Sequence, residues 1–259
     1  MLARAPNENL ELGGEVMFRT KMQFKAILQA FAAMLLFAAI ATAQIPGLCD
    51  TGETHGTTLA CSGVLVPPNP PGGGTNRDGR WDLAYPYPST LEGQHGPCVL
   101  TQFINAWVDT PNSNWLSNSS STVSEWITPF DGENNLEEGW YVYRTTFYVP
   151  SVLPGGVVPT GVTINGHLVS DNPTFGIYME SPANGSNCAL VSGQEFPVNP
   201  AGLGNSDYQQ WWDFSFTNPH AITAGAYAYV YFVVQNTPDA SGPTPTGLRV
   251  EFFASSAFN

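Results

Sequence analysis

Tyr227-Ala228-Tyr229-Val230-Tyr231-Phe232-Val233-Val234 reads as strand from end to end, with no turn former and no charge in eight residues. Aromatic and β-branched side chains suit a pleated, half-buried surface, and alternate residues of a strand point to opposite faces. Ala228, Val230, Phe232 and Val234 therefore form one face, assigned to the core. Tyr227, Tyr229, Tyr231 and Val233 form the other. The same signature extends outward. Upstream, Trp212, Phe214 and Phe216 alternate with Asp213 and Ser215, which predicts a half-buried strand that points Trp211 away from the core. Residues 141–149 are aromatic and β-branched on both faces, as in a buried central strand. Residues 158–169 continue the pattern with Val162, Ile164 and Leu168, and residues 248–253 predict a closing strand. Between these runs lie clusters of Gly, Pro, Asn and Ser, and no segment after residue 43 has helical periodicity. Residues 67–74 (PPNPPGGG) can only be a loop. The expected fold is all-β, an antiparallel β-sandwich.

The first 43 residues belong to a different class of segment. Arg19, Lys21 and Lys25 precede an apolar run over residues 26–40, followed by Ala41-Thr42-Ala43 and Gln44. A basic stretch, a short apolar stretch and an A-x-A site describe a secretory signal. About 15 apolar residues rise only about 22 Å as a helix, short of the roughly 30 Å hydrocarbon core. Cleavage after Ala43 is expected, which leaves residues 44–259 as one β-sandwich domain outside the cytoplasm, secreted or periplasmic.

Removal of residues 1–43 sharpens the charge. Of 21 acidic residues, Glu8, Glu11 and Glu15 leave, and 18 remain against Arg77, Arg80, Arg144 and Arg249, with no lysine. A net charge of about −14 repels phosphate backbones and anionic lipid, so neither nucleic acid nor a membrane is an expected partner after cleavage. All four cysteines lie in the exported part, and an even count in an oxidising compartment implies two disulfides. Three connectivities are possible, and the favoured one joins Cys49–Cys61, a short loop near the new N-terminus, and Cys98–Cys188, between distant segments. No C-x-x-C pair or histidine at ligand spacing supports zinc.

Several short stretches occur in an order that resembles bacterial secreted and cell-surface proteins with a galactose-binding-like, carbohydrate-module-type jelly roll. They are Asp50-Thr51-Gly52, Arg80-Trp81-Asp82-Leu83, Glu125-Trp126-Ile127, Tyr143-Arg144-Thr145-Thr146-Phe147 and Ser170-Asp171-Asn172. Val234-Gln235-Asn236 and Thr246-Gly247-Leu248-Arg249-Val250 complete the set. The resemblance implies the fold and places Trp81 and Trp126 in the core. Many such proteins carry a PEP-CTERM sorting tail; here Phe252-Phe253 and a short polar tail close the sequence, and free secretion is the expectation.

Catalytic constellations are absent from the pattern of residues. His55, His95, His167 and His220 are scattered, and no serine sits in a G-x-S-x-G elbow. Residues 131–138 (DGENNLEE) hold carboxylates without alternating apolar partners, so they read as a solvated turn and not as a glycosidase pair. No cofactor is expected, and a structural calcium ion on such an oxygen-rich turn is the one exception the composition allows. The strand arginines Arg144 and Arg249 are expected to pair with a carboxylate such as Asp171.

Aromatic side chains are the remaining resource for binding. Tyr227, Tyr229 and Tyr231 would span roughly 13 Å along one strand face at about 3.3 Å per residue, two or three sugar units. With Trp211 they form the candidate ligand surface. Three roles stay open for it: stacking on a sugar, packing under a covering loop such as residues 67–74, or contact with another protein or another copy of the chain. The functional expectation is a non-catalytic module whose partner is a glycan or an extracellular protein surface. A structural or adhesive, self-associating component of the envelope or matrix is the alternative.

Overall fold

A computed structural model describes residues 45–54, 60–70, 74–87, 97, 100–130, 136–172, 174–180, 189–190, 207–218, 222–237 and 244–259. All fall within one compact unit, Ala43–Asn259. The expected leader, Cys98, Cys188 and residues 131–135 lie outside the described residues, and so does the expected Cys98–Cys188 pair.

The chain is all-β, an antiparallel sheet curled into a half-barrel, with single turns of 3-10 helix at Asn118–Ser120 and Asp207–Gln209. Its strands are β1 (Arg77–Tyr87), β2 (Ile104–Val108), β3 (Ile127–Thr128), β4 (Gly139–Tyr148), β5 (Val162–Ser170) and β6 (Thr174–Glu180). They continue with β7 (Ala189–Leu190), β8 (Trp212–Thr217), β9 (Tyr227–Asn236), β10 (Leu248–Phe252) and β11 (Ala257–Phe258). The order across the sheet is β11-β5-β10-β3-β2-β1-β4-β9-β6-β7, and β8 also pairs with β5. Register shifts interrupt β1 twice, between Arg77 and Asp82 and between Ala84 and Tyr87. Such irregularities bend a strand and increase its twist. Pro86, which has no N–H to give a ladder, falls in the second.

Curling brings the two limbs of the sheet face to face. Phe232 of β9 meets Phe214 of β8 at 5.8 Å between ring centroids and Trp81 of β1 at 5.5 Å. Around them Tyr141, Tyr143, Phe147, Ile164, Leu168, Val230, Val234 and Val250 are buried in one core. The face of β9 assigned to the core is the one found there. Trp81 and Trp126 are fully buried, and Trp126 packs on Trp115 and Val169.

Two local expectations change. The strand foreseen from residue 158 begins at Val162, because Pro159 cannot join a ladder and Val157 and Val158 are exposed in the preceding loop. That loop turns at Leu153-Pro154-Gly155-Gly156, where the Gly156 N–H donates to the Leu153 carbonyl at 3.0 Å and Leu153 N–H to Val157 O at 2.7 Å. Gly155 and Gly156 have φ of 91° and 81°, a region other residues enter at a cost. Trp212, expected in the core with Phe214 and Phe216, is only half-buried at the first position of β8, while the two phenylalanines are buried.

The Cys49–Cys61 disulfide is formed, with a Cα–Cα distance of 5.2 Å. Such a bond fits an oxidising, extracellular-type environment. No helix among the described residues is long and apolar enough to cross a membrane.

Candidate functional site

Outward-facing residues of five neighbouring strands build one continuous surface. Cross-strand pairing sets Asn105, Asp82, Arg144, Tyr231 and Tyr178 in one row across β2, β1, β4, β9 and β6. Tyr229 occupies the next outward position of β9, opposite Thr146 and Glu180. Arg144 and Asp82 face each other directly and meet at 2.6 Å. The guanidinium carbon lies 3.8 Å from the ring centroid of Phe103 and 4.9 Å from that of Tyr229. Both charged side chains stay in touch with solvent, at 21% and 31% exposure. Arg144 Nε is buried with no hydrogen-bond partner. Half-buried Phe103, Tyr178 and Tyr229 frame this pair over a buried floor of Ala84, Val142, Tyr231 and Val233.

Of the four aromatic residues singled out in the sequence, only Tyr229 is a partly open ring beside the Arg144–Asp82 pair. Tyr229 is half-buried and presents its ring to Arg144. Tyr227 is the most exposed, at 49%, but lies at the strand end, edge-on to Tyr148 at 5.4 Å. Tyr231 is buried, and its hydroxyl donates to Glu180 Oε2 at 2.5 Å. Burial, then the Glu180 carboxylate, push that hydroxyl far above the ordinary tyrosine range. Its cover among the described residues is the segment leading into β2, with Leu100 and Phe103. In the described part of the Pro-rich loop Asn69 is tied to Asn76, Val108 and Thr110. No protein-family model matches the chain, and no curated protein is significantly similar to it.

Trp211 is not part of this surface. It belongs to the opposite limb, in a cluster with Trp115, Trp126, Val169, Leu116 and Tyr208. Its ring stacks on His167 at 4.0 Å, and Arg249 lies 5.1 Å from it. A single strand's alternation cannot show that β8 and β9 sit on facing limbs, so outward residues of the two point apart. There, Glu251, His167 and Asp213 form a row across β10, β5 and β8. His167 Nε2 is 2.7 Å from Glu251 Oε2, and Asp213 lies 3.9 Å from Nδ1. Ser124 Oγ donates to Glu251 at 2.6 Å and accepts from Arg249 Nε at 2.7 Å, so it is not paired with the imidazole as a nucleophile would be.

Of the two strand arginines, Arg144 has a carboxylate partner as expected, and Arg249 binds carbonyl and hydroxyl oxygens instead. Arg144 pairs with Asp82, and Arg249 donates to the carbonyls of Ser117, Asn118 and Ser124 and to Ser120 Oγ. Asp171 accepts instead from Trp115 Nε1 at 2.5 Å and from Asn172 at 2.9 Å. Sequence reasoning missed Phe103, Asp82, Tyr178 and Glu180. Arg144 was legible as an outward residue, since Trp140, Val142 and Arg144 alternate with Tyr141 and Tyr143. Its neighbours depend on register between strands far apart in the chain.

Cys49, Cys61 and Glu53 bring their sulfur and oxygen atoms within 4.8 Å of one another. Both sulfurs are committed to the disulfide, and metal binding by cysteine needs the thiolate. The group is therefore not a metal centre in this state.

Proposed function

We infer that this is a secreted, non-catalytic β-sandwich module of the jelly-roll, galactose-binding-like type that binds a neutral glycan on the outward face of β1, β4, β9 and β6. The observation that carries the reading is the Arg144–Asp82 pair set among the half-buried rings of Phe103, Tyr178 and Tyr229. Flat apolar rings suit the C–H face of a sugar, and a guanidinium beside a carboxylate offers donors and an acceptor to neighbouring hydroxyls. A neutral ligand is indifferent to the acidic surface around it. The curled sheet with facing limbs supports the sandwich type, and the disulfide supports export.

The test is a glycan array probed with residues 44–259, followed by affinity and melting measurements on Tyr229→Ala. Binding by the parent, lost in Tyr229→Ala at unchanged melting temperature, supports the reading. Undiminished binding by the variant removes this face as the site. The alternative, a self-associating envelope or matrix component, has one observation in its favour. Val152, Val157 and Val158 are exposed in the loop that follows β4, at the end of the sheet where Tyr227 is also exposed. A parent that binds no glycan but whose sedimentation rises with concentration would put that alternative ahead.

A further inference from the structure

The two halves of the Cys49–Cys61 disulfide have unequal surroundings. Cys49 is fully buried, whereas Cys61 is partly open between exposed Ala60 and Ser62. An oxygen of the Glu53 carboxyl group lies within 4.8 Å of both sulfurs, and Glu53 is itself only 5% exposed. One of its oxygens accepts the Gly63 N–H, and Oε2 is buried with no hydrogen-bond partner. The charged groups that face it are Asp50 on its own segment and Asp78 and Arg80 on β1. A buried carboxyl group with an unused oxygen against a buried sulfur is a costly arrangement for structure alone. It is a useful one for moving a proton.

The backbone beside Cys49 does not depend on the disulfide. Thr51 N–H donates to Val250 O at 3.1 Å, Glu125 N–H to Thr51 O at 2.9 Å and Val66 N–H to Gly52 O at 2.7 Å. Gly52 N–H donates to Asp78 at 2.6 Å, and Trp81 Nε1 to the Cys49 carbonyl at 3.1 Å. With the segment pinned to β1, β10 and the strand-like stretch at residues 65–66, the sulfur bond can open without releasing the fold.

We propose that Cys49–Cys61 is a thiol–disulfide exchange site for small or protein-borne thiols, with Glu53 as the proton donor and acceptor to Cys49. An external thiolate attacks Sγ of Cys61, the less buried of the two residues, and forms a mixed disulfide. The electron pair of the Cys49–Cys61 bond goes to Cys49 Sγ, which takes the Glu53 proton and becomes a buried thiol. If the co-reactant is a dithiol, its second thiolate displaces Cys61, and two electrons pass from the dithiol to the pair. Cys61 Sγ already lies 3.2 Å from the Leu48 carbonyl, an acceptor for the thiol proton that Cys61 then gains. In the reverse direction the Glu53 carboxylate removes the Cys49 proton. Desolvation of Glu53 holds its carboxyl above the usual range, so more of it carries the needed proton toward neutral pH.

The experiment uses the full chain, dithiothreitol as the dithiol, and alkylation mapped by mass spectrometry to the Cys49 and Cys61 peptides, from about pH 5 to about pH 9. The attacking thiolate becomes more abundant as pH rises. The unmodified protein is expected to follow that rise and then bend over as Glu53 loses its proton. Glu53→Gln is expected to react about tenfold or more slowly at about pH 6, and to rise monotonically until the two profiles cross. Far-ultraviolet circular dichroism of the reduced chain should match that of the oxidised chain. Profiles of the same shape, or reduction only together with unfolding, would overturn the proposal. Should Glu53→Gln fail to fold, the unmodified profile decides alone: a rate that tracks thiolate abundance with no bend excludes Glu53.

Discussion

Phe232 stands where the two limbs of the sheet meet. It is fully buried and touches Trp81 at 5.5 Å, Phe214 at 5.8 Å and Phe252 at 6.4 Å. Those rings belong to β1, β8 and β10, so truncation leaves a cavity that no single strand can close. Phe232→Ala should cost about 3–5 kcal/mol, read from chemical denaturation. A loss below about 1 kcal/mol would mean that the limbs are not packed through this ring. Its neighbour Tyr231 illustrates a different balance. The ring sits on the outward face, yet Phe103 and Leu100 cover it, and the hydroxyl is satisfied by Glu180. Tyr229, two residues away, keeps part of its ring in solvent, which is why the binding test falls on that residue.

At the scale of the elements, close approach of strands sets the tolerances. A Cβ on Gly166 of β5 would come within 2.4 Å of the Glu251 carbonyl on β10 and 2.6 Å of the Phe214 ring on β8. Gly166→Ala should therefore lower stability by about 1–3 kcal/mol, measurable as a shift of the denaturation midpoint. An unchanged midpoint would show that β5 and Phe214 move apart at no cost. Strand identity and facing were legible from alternation: β4, β8, β9 and β10 lie close to where period-two patterns predict them, and Phe232 faces the core. Layout was not legible. Trp211 and Tyr229 look equivalent in sequence, each outward on an alternating strand, but β8 pairs with β5 and β9 with β4 and β6. Pairing between distant segments carries that information, and one chain's pattern does not record it.

Across the whole molecule, buried carboxyl groups set the response to pH. Burial pushes Asp50, Asp78 and Asp171 up to about 7, even though Asp78 accepts the N–H groups of Gly52, Arg80 and Trp81. Each is more readily protonated folded than unfolded. Their contribution to stability is complete below the unfolded value near 3.8 and is lost as pH rises through about 7. Glu251 goes the other way. Burial raises it, but hydrogen bonds from His167, Ser121 and Ser124 outweigh that and bring it down to about 2. Its contribution is present above the unfolded value of 4.5 and lost as pH falls through about 2. Melting temperature should peak at about pH 4–5 and fall steadily toward about pH 8. A maximum at neutral or alkaline pH would contradict this assignment.

The Leu153-Pro154-Gly155-Gly156 turn lends itself to construction. A Cβ at Gly155 or Gly156 would meet no atom within 4 Å, while the rungs from Leu153 to Val157 and Gly156 hold the base of the turn shut. Exposed tips with closed bases are where chains accept inserted sequence. A short peptide epitope or fluorophore acceptor tag spliced between Gly155 and Gly156 would project from the body on a fixed stalk. The protein would then double as a display scaffold, with the β1, β4, β9 and β6 face left untouched.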